Sequence, residues 1–119
     1  DHNYDMGSLY IEPDGVWRIV APTEPGPQKW GTGGEMVLWL SKDDGGTWTK
    51  ELDITHGSPR NHAYARRPVN AHPDFYAFWT DGNPDGFSES HLYFTNKNGD
   101  EVWELPYEMV EDEAKPKAL

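Results

Sequence analysis

The chain contains no cysteine, which excludes a disulfide framework, thiolate chemistry and any cysteine-ligated metal, and leaves the redox compartment open. Long apolar runs are missing too. Nothing approaches the roughly 20 residues needed to span a bilayer, so no membrane partner is expected. No signal-peptide pattern opens the chain, although a start at Asp1 fits a processed form and a piece of something longer equally well. Cations are scarce: 10 lysines and arginines stand against 21 acidic residues, for a formal net charge of −11. A phosphate backbone would be repelled by that charge, which argues against nucleic acid as a partner. Acidic residues are themselves absent from one stretch, Ile54 to Pro73, which holds Arg60, Arg66, Arg67, His56, His62 and His72. One basic island therefore sits in an acidic protein, and it offers an anionic polymer a single place to dock.

What the sequence does have is material for sheets. Its 119 residues include 6 Trp, 6 Tyr and 4 Phe, interrupted by 12 Gly and 10 Pro with no low-complexity period. Short apolar runs joined by turn residues favour an all-β fold. The clearest turn is Ser41-Lys42-Asp43-Asp44-Gly45-Gly46-Thr47-Trp48, set between the β-prone run Glu35 to Leu40 and the alternating run Trp48 to Ile54. Asp-Gly supplies positions with φ > 0, and an aspartate can accept hydrogen bonds from turn N–H groups. The twelve-residue ligand pattern of a calcium loop is missing. Ser41, Asp43, Gly45, Thr47 and Trp48 fall at the spacing of the Asp-box and resemble the BNR-repeat, sialidase-like β-propeller proteins. The resemblance implies a structural turn between the outer strands of a blade.

The two halves align at an offset of 54 residues, which places Tyr10 on Tyr64, Leu38 on Leu92, Trp39 on Tyr93, Leu40 on Phe94, Gly45 on Gly99 and Trp48 on Val102. Thr95 to Val102 then reads as a decayed copy of the first turn, with Lys97 in the place of Asp43. Each half holds four strand candidates, so the expected architecture is two four-stranded antiparallel, propeller-like blades within a larger or oligomeric β-propeller. The expected boundaries are 1–55 for the first blade, 56–107 for the second, and 108–119 for an acidic C-terminal tail. Two blades cannot close a ring. Missing blades, several copies in one ring, or a sandwich of the two sheets would each cover their faces, and self-association is expected.

Within the basic island, regular strand alternation over Asn61 to Pro68 would put His62, Tyr64 and Arg66 on one face, on the innermost strand of the second blade. A cation held against a uronate carboxylate stabilises the enolate-like state of β-elimination, while a neutral His or ionised Tyr takes the proton and its partner protonates the leaving oxygen. His62, Tyr64 and Arg66 are accordingly the candidate catalytic residues, with Arg67, Arg60, His72 and Trp30 as candidate substrate contacts. A purely structural reading stays open, in which His62 bonds a loop, Tyr64 is a core aromatic and Arg66 pairs with a carboxylate of another blade. A metal site from His2, Asp5, His72 and Asp74 has no short ligand spacing behind it, and neither a metal nor a cofactor is expected.

The stretches His2 to Gly7, Gly31 to Met36, Arg66-Arg67-Pro68 and Asn70 to Trp79 together resemble the BNR-repeat proteins related to ulvan-type polysaccharide lyases. That resemblance implies a carbohydrate-active propeller domain, a polysaccharide or oligosaccharide partner, base or acid roles for His62 and Tyr64, and carboxylate neutralisation by Arg66. It also implies an extracellular or periplasmic setting. The alternatives are a non-catalytic, glycan-binding or self-assembling propeller fragment, and a sialidase-like glycoside hydrolase. The last needs several arginines around one carboxylate in a chain with only four.

Overall fold

A computed structural model describes residues 7–29 and 33–119, among which there is no helix. The expected all-β class is observed. Four strands, β1 (Ser8–Ile11), β2 (Trp17–Glu24), β3 (Glu35–Ser41) and β4 (Thr49–Asp53), form one antiparallel meander in the order β1-β2-β3-β4. Five more form a second meander in sequence order: β5 (Asn61–Arg66), β6 (Ala77–Gly82), β7 (Leu92–Thr95), β8 (Val102–Glu104) and β9 (Lys117–Ala118). The second sheet thus departs from the expected four strands. Part of the C-terminal tail adds to its edge, with Trp103 opposite Ala118, Glu104 opposite Lys117, and the Leu119 N–H donating to the Val102 carbonyl at 2.9 Å. A two-residue strand carries no periodicity that a sequence can display.

The two sheets bury one common core. Tyr10, Val20, Met36, Leu38 and Ile54 from the first half pack with Ala65, Tyr76, Ala77, Trp79, Tyr93 and Val102 from the second. Tyr10 stacks on Tyr76 with ring centroids 4.0 Å apart and donates its hydroxyl to the Tyr76 carbonyl at 2.5 Å, while the Tyr76 hydroxyl donates to Glu12. Burial pushes the Tyr10 phenol up to about 12. Both phenols remain donors at any ordinary pH.

The hairpin between β3 and β4 is closed mainly by Asp43. Its Oδ1 accepts from the Ser41 hydroxyl at 2.8 Å and the Thr47 N–H at 2.7 Å, and its Oδ2 accepts from the Thr47 hydroxyl at 2.6 Å. Gly45 stands at φ +84°, and a Cβ there would lie 2.8 Å from the Trp17 ring. The hydrogen bonds from Thr47, helped by Ser41, lower the Asp43 carboxyl to about 2 from 3.8. The sign follows: its contribution is intact above 3.8 and is lost as pH falls through the folded value. Asp43→Ala is expected to lower the midpoint of urea unfolding at neutral pH and to lower it less at about pH 2, where the wild-type carboxylate is itself being protonated. An equal loss at both pH values would contradict this account.

The turn between β7 and β8 is held differently from its counterpart. Asn96, one position ahead of Lys97, donates from Nδ2 to Asp100 at 2.7 Å, while the Thr95 hydroxyl donates to the Glu101 carbonyl at 2.8 Å. Lys97 instead reaches Glu12 at 3.9 Å across the two sheets.

Corresponding faces of the two sheets point in opposite senses. Leu38 and Leu40 of β3 face the shared core, but their counterparts Leu92 and Phe94 lie on the outer face of the second sheet. Trp39 lies on the outer face of the first sheet, whereas its counterpart Tyr93 is in the core. The inner face of one sheet therefore packs on the opposite kind of face of the other, a head-to-tail stack and not a two-fold one. Both outer faces are apolar. One carries Leu9, Ile11, Trp17, Ile19 and Trp39; the other carries a cross-strand row of Phe78, Phe94 and Trp103, with Phe75 against Phe94 at 4.8 Å.

Candidate functional site

The basic island begins in the link between the sheets and runs through β5. The register of β5 against β6 breaks after Ala63: Ala63 lies opposite Thr80 and Arg66 opposite Phe78, so Tyr64 and Ala65 together face Trp79. This is a β-bulge, and Tyr64 occupies it with φ 59°. A left-handed backbone of this kind is ordinarily taken by glycine. The bulge overturns the alternation expected from sequence. His62 is buried at 3 % exposure and Ala65 at 1 %, whereas Tyr64 is 48 % exposed and Arg66 is exposed beside it. His62, Tyr64 and Arg66 do not share a face. By the same register Arg66, and not Tyr64, is the structural counterpart of Tyr10, because Tyr10 lies opposite Arg18 as Arg66 lies opposite Phe78.

His62 is held from three sides. The Trp79 indole N–H donates to its Nδ1 at 3.0 Å, its Nε2 lies 2.9 Å from the Ser58 hydroxyl, and the Tyr93 ring meets it edge-on at 4.9 Å. An indole N–H can only donate, so Nδ1 is the unprotonated nitrogen and the proton sits on Nε2. Ser58 then accepts from His62 and donates to Glu35 Oε2 at 2.8 Å. Glu35 also accepts from the Ser58 N–H at 2.8 Å and the Thr55 hydroxyl at 2.5 Å. This order of donors is the reverse of what a nucleophilic serine or a general-base histidine requires, since the nitrogen facing Ser58 already carries a proton. Burial lowers the His62 pKa further, against a smaller upward pull from Glu35 and Asp81.

A second cluster lies next to it. The Asp81 side chain, buried on β6, accepts from the His91 N–H at 2.7 Å and the Tyr93 hydroxyl at 2.9 Å. Arg60 approaches Asp81 at 3.9 Å, with a donor bond to the Glu89 carbonyl at 2.8 Å and His91 Nδ1 at 3.3 Å. His91 Nε2 lies 3.7 Å from Glu104. Arg60 is thus engaged within the second sheet. Arg67 crosses to the first, donating to the Leu9 carbonyl at 3.3 Å with its guanidinium 4.9 Å from the Tyr10 ring centre. His72 belongs to an exposed turn, where its Nδ1 accepts from the Asp74 N–H at 3.1 Å. Trp30, His2 and Asp5 lie outside the described residues, and among the described residues no group of three or more His, Asp or Glu is placed to hold a metal ion.

Two openings adjoin β5. Tyr64 lines a shallow pocket of about 210 Å³ with Thr80, Gly82, Asn83 and Pro84. A cleft of about 440 Å³ lies between the sheets, with Ile54, Tyr93 and Val102 as its apolar lining and Ser58, His62 and Glu104 as polar groups. The sequence points to His62 and Tyr64 as candidates but gives no sign of Glu35, Ser58, Asp81 and His91, which the structure gathers around His62 and Arg60. None of these stands at a motif spacing from His62; Ser58 lies four positions ahead of it in the link, and Glu35 joins it through Ser58 across 23 positions. Comparison with protein-family models, with curated proteins and with solved structures gives no match.

Proposed function

We propose that the chain is a blade pair of a β-propeller that acts on an anionic polysaccharide, with the exposed Tyr64–Arg66 end of β5 as its sugar contact. The head-to-tail relation of the two sheets supports the propeller reading. A two-fold sandwich would pack like on like and finish there, whereas each outer face here resembles a face already packed in the core and suits a further sheet, from another blade or another copy. The observation that carries the functional reading is Tyr64. An exposed aromatic is kept in a backbone conformation that glycine would adopt with less strain, and strain of this kind concentrates at functional sites.

Chemically, the Arg66 guanidinium, which donates to the Ala65 carbonyl at 3.2 Å, brings a positive charge to a uronate carboxylate, and the Tyr64 ring can pack against the sugar while its hydroxyl exchanges a proton. His62 has no part in this beyond holding β5, because its lone pair is occupied by Trp79. The test is a panel of uronate-containing polymers, scored for binding and for the ultraviolet absorbance of unsaturated uronates. Tyr64→Phe is expected to abolish the absorbance and retain binding. Tyr64→Gly is expected to weaken binding by at least about tenfold while the unfolding free energy stays the same or rises by up to about 1 kcal/mol, since the left-handed strain is relieved. Silence of the whole panel would overturn the reading. Binding without absorbance would remove only elimination and leave a glycan-binding module.

A further inference from the structure

We propose that His62 forms an acid-sensitive latch between the two sheets. Its backbone bridges to Gly34 beside β3 in both directions, Gly34 N–H to His62 carbonyl at 2.9 Å and His62 N–H to Gly34 carbonyl at 2.8 Å. Its side chain reaches the same end of β3 through Ser58 and Glu35, and the body of its own sheet through Trp79. One residue thereby ties the first sheet, the link and the second sheet together. The inter-sheet cleft opens beside it.

Protonation breaks this arrangement for a geometric reason. The incoming proton must go to Nδ1, where the indole N–H of Trp79 already points, so two donors would face one another. The charged ring would also sit at 3 % exposure. The groups facing the ring are Glu35 at the start of β3, Asp81 and Trp79 on β6, Tyr93 on β7 and Ser58 in the link; Arg60 and His91 flank Asp81, and His56, Asp100 and Glu104 line the cleft. The two carboxylates nearest the ring favour the imidazolium, yet burial outweighs them. The unfolded chain therefore takes up a proton near 6.5 that the folded chain refuses. The latch is closed above that value and is released as pH falls through the lower, folded one.

The test uses the whole chain. Amide hydrogen exchange, corrected for its intrinsic pH dependence, is followed at Gly34 and His62 from about pH 7 to about pH 5, together with an NMR titration of the His62 ring. Opening at these two amides is expected to increase by about tenfold or more relative to amides in the middle of β2 and β3. His62→Gln, which keeps one donor and one acceptor without a titrating group, is expected to remove that increase, and His91→Gln to retain it. Trp79→Phe, which removes the opposing N–H, is expected to raise the His62 titration midpoint. If His62→Gln fails to fold, the wild-type exchange and the Trp79→Phe shift decide the matter alone. A ring that titrates at its ordinary value, or an acid-driven opening unchanged in His62→Gln, would overturn the proposal.

Discussion

Trp79→Ala is expected to lower the unfolding free energy by about 4 kcal/mol, measured by urea denaturation at neutral pH. Trp79 is completely buried, and its ring lies parallel to Tyr93 with centroids 6.1 Å apart. Truncation removes that packing, opens a void where two sheets meet, and leaves His62 Nδ1 without its donor. The loss is a large fraction of the stability of an ordinary domain, about 5–15 kcal/mol in all. Trp79→Phe separates the contributions. It keeps most of the ring volume and is expected to lose only about 1–2 kcal/mol, mainly from the unpaired imidazole nitrogen. If the alanine variant lost less than about 2 kcal/mol, the region around β6 would be repacking, contrary to the role assigned here to Trp79.

The second large effect is expected at Glu35→Ala, with a loss of about 3 kcal/mol in the same assay. Glu35 is 8 % exposed and accepts the Thr55 hydroxyl, the Ser58 N–H and the Ser58 hydroxyl. Its removal leaves donors in a place that water reaches poorly, and a donor stripped of a charged acceptor is costlier than an ordinary lost bond. The two hydroxyls can turn elsewhere; the Ser58 N–H cannot. Glu35→Gln is therefore expected to recover about half of the loss, because one amide oxygen can still receive that N–H. Full recovery by glutamine would mean that the charge is immaterial, and no difference between alanine and wild type would mean that the link is not held by this carboxylate.

Much of the fold was legible in the sequence because it is built from short-range signals. Gly15, Gly45 and Gly99 mark turns at positive φ; β2 and β3 carry runs of buried residues, while β1 and β6 alternate as half-buried strands do. Val102 and Trp103 show this at its smallest scale, one buried and the next only half so. The bulge at Tyr64 was not legible. Nothing in Ala63-Tyr64-Ala65-Arg66 announces an extra residue, since a bulge is selected by what must face what across β6, and tyrosine at a glycine conformation runs against local preference. That one residue is why the expected common face of His62, Tyr64 and Arg66 does not exist. Glu35 was hidden for a different reason: Ser58 stands only four positions ahead of His62, but Glu35 meets Ser58 across 23 positions, through a link whose path no pattern of residues specifies. Asp43, by contrast, acts on neighbours up to four positions away, as a turn aspartate that accepts from turn N–H groups is expected to do.

The shared core also sets an order of events when the chain folds. Within each meander, pairing closes hairpins between neighbouring strands, but Tyr10 meets Tyr76 across 66 positions. Closing so long a loop before any sheet exists is entropically unfavourable, so strand pairing is expected to precede docking of the two halves. Between those events each sheet presents its inner apolar face to water. Docking of the two inner faces then has a competitor in the same association between different molecules, and refolding yield is expected to fall as protein concentration rises.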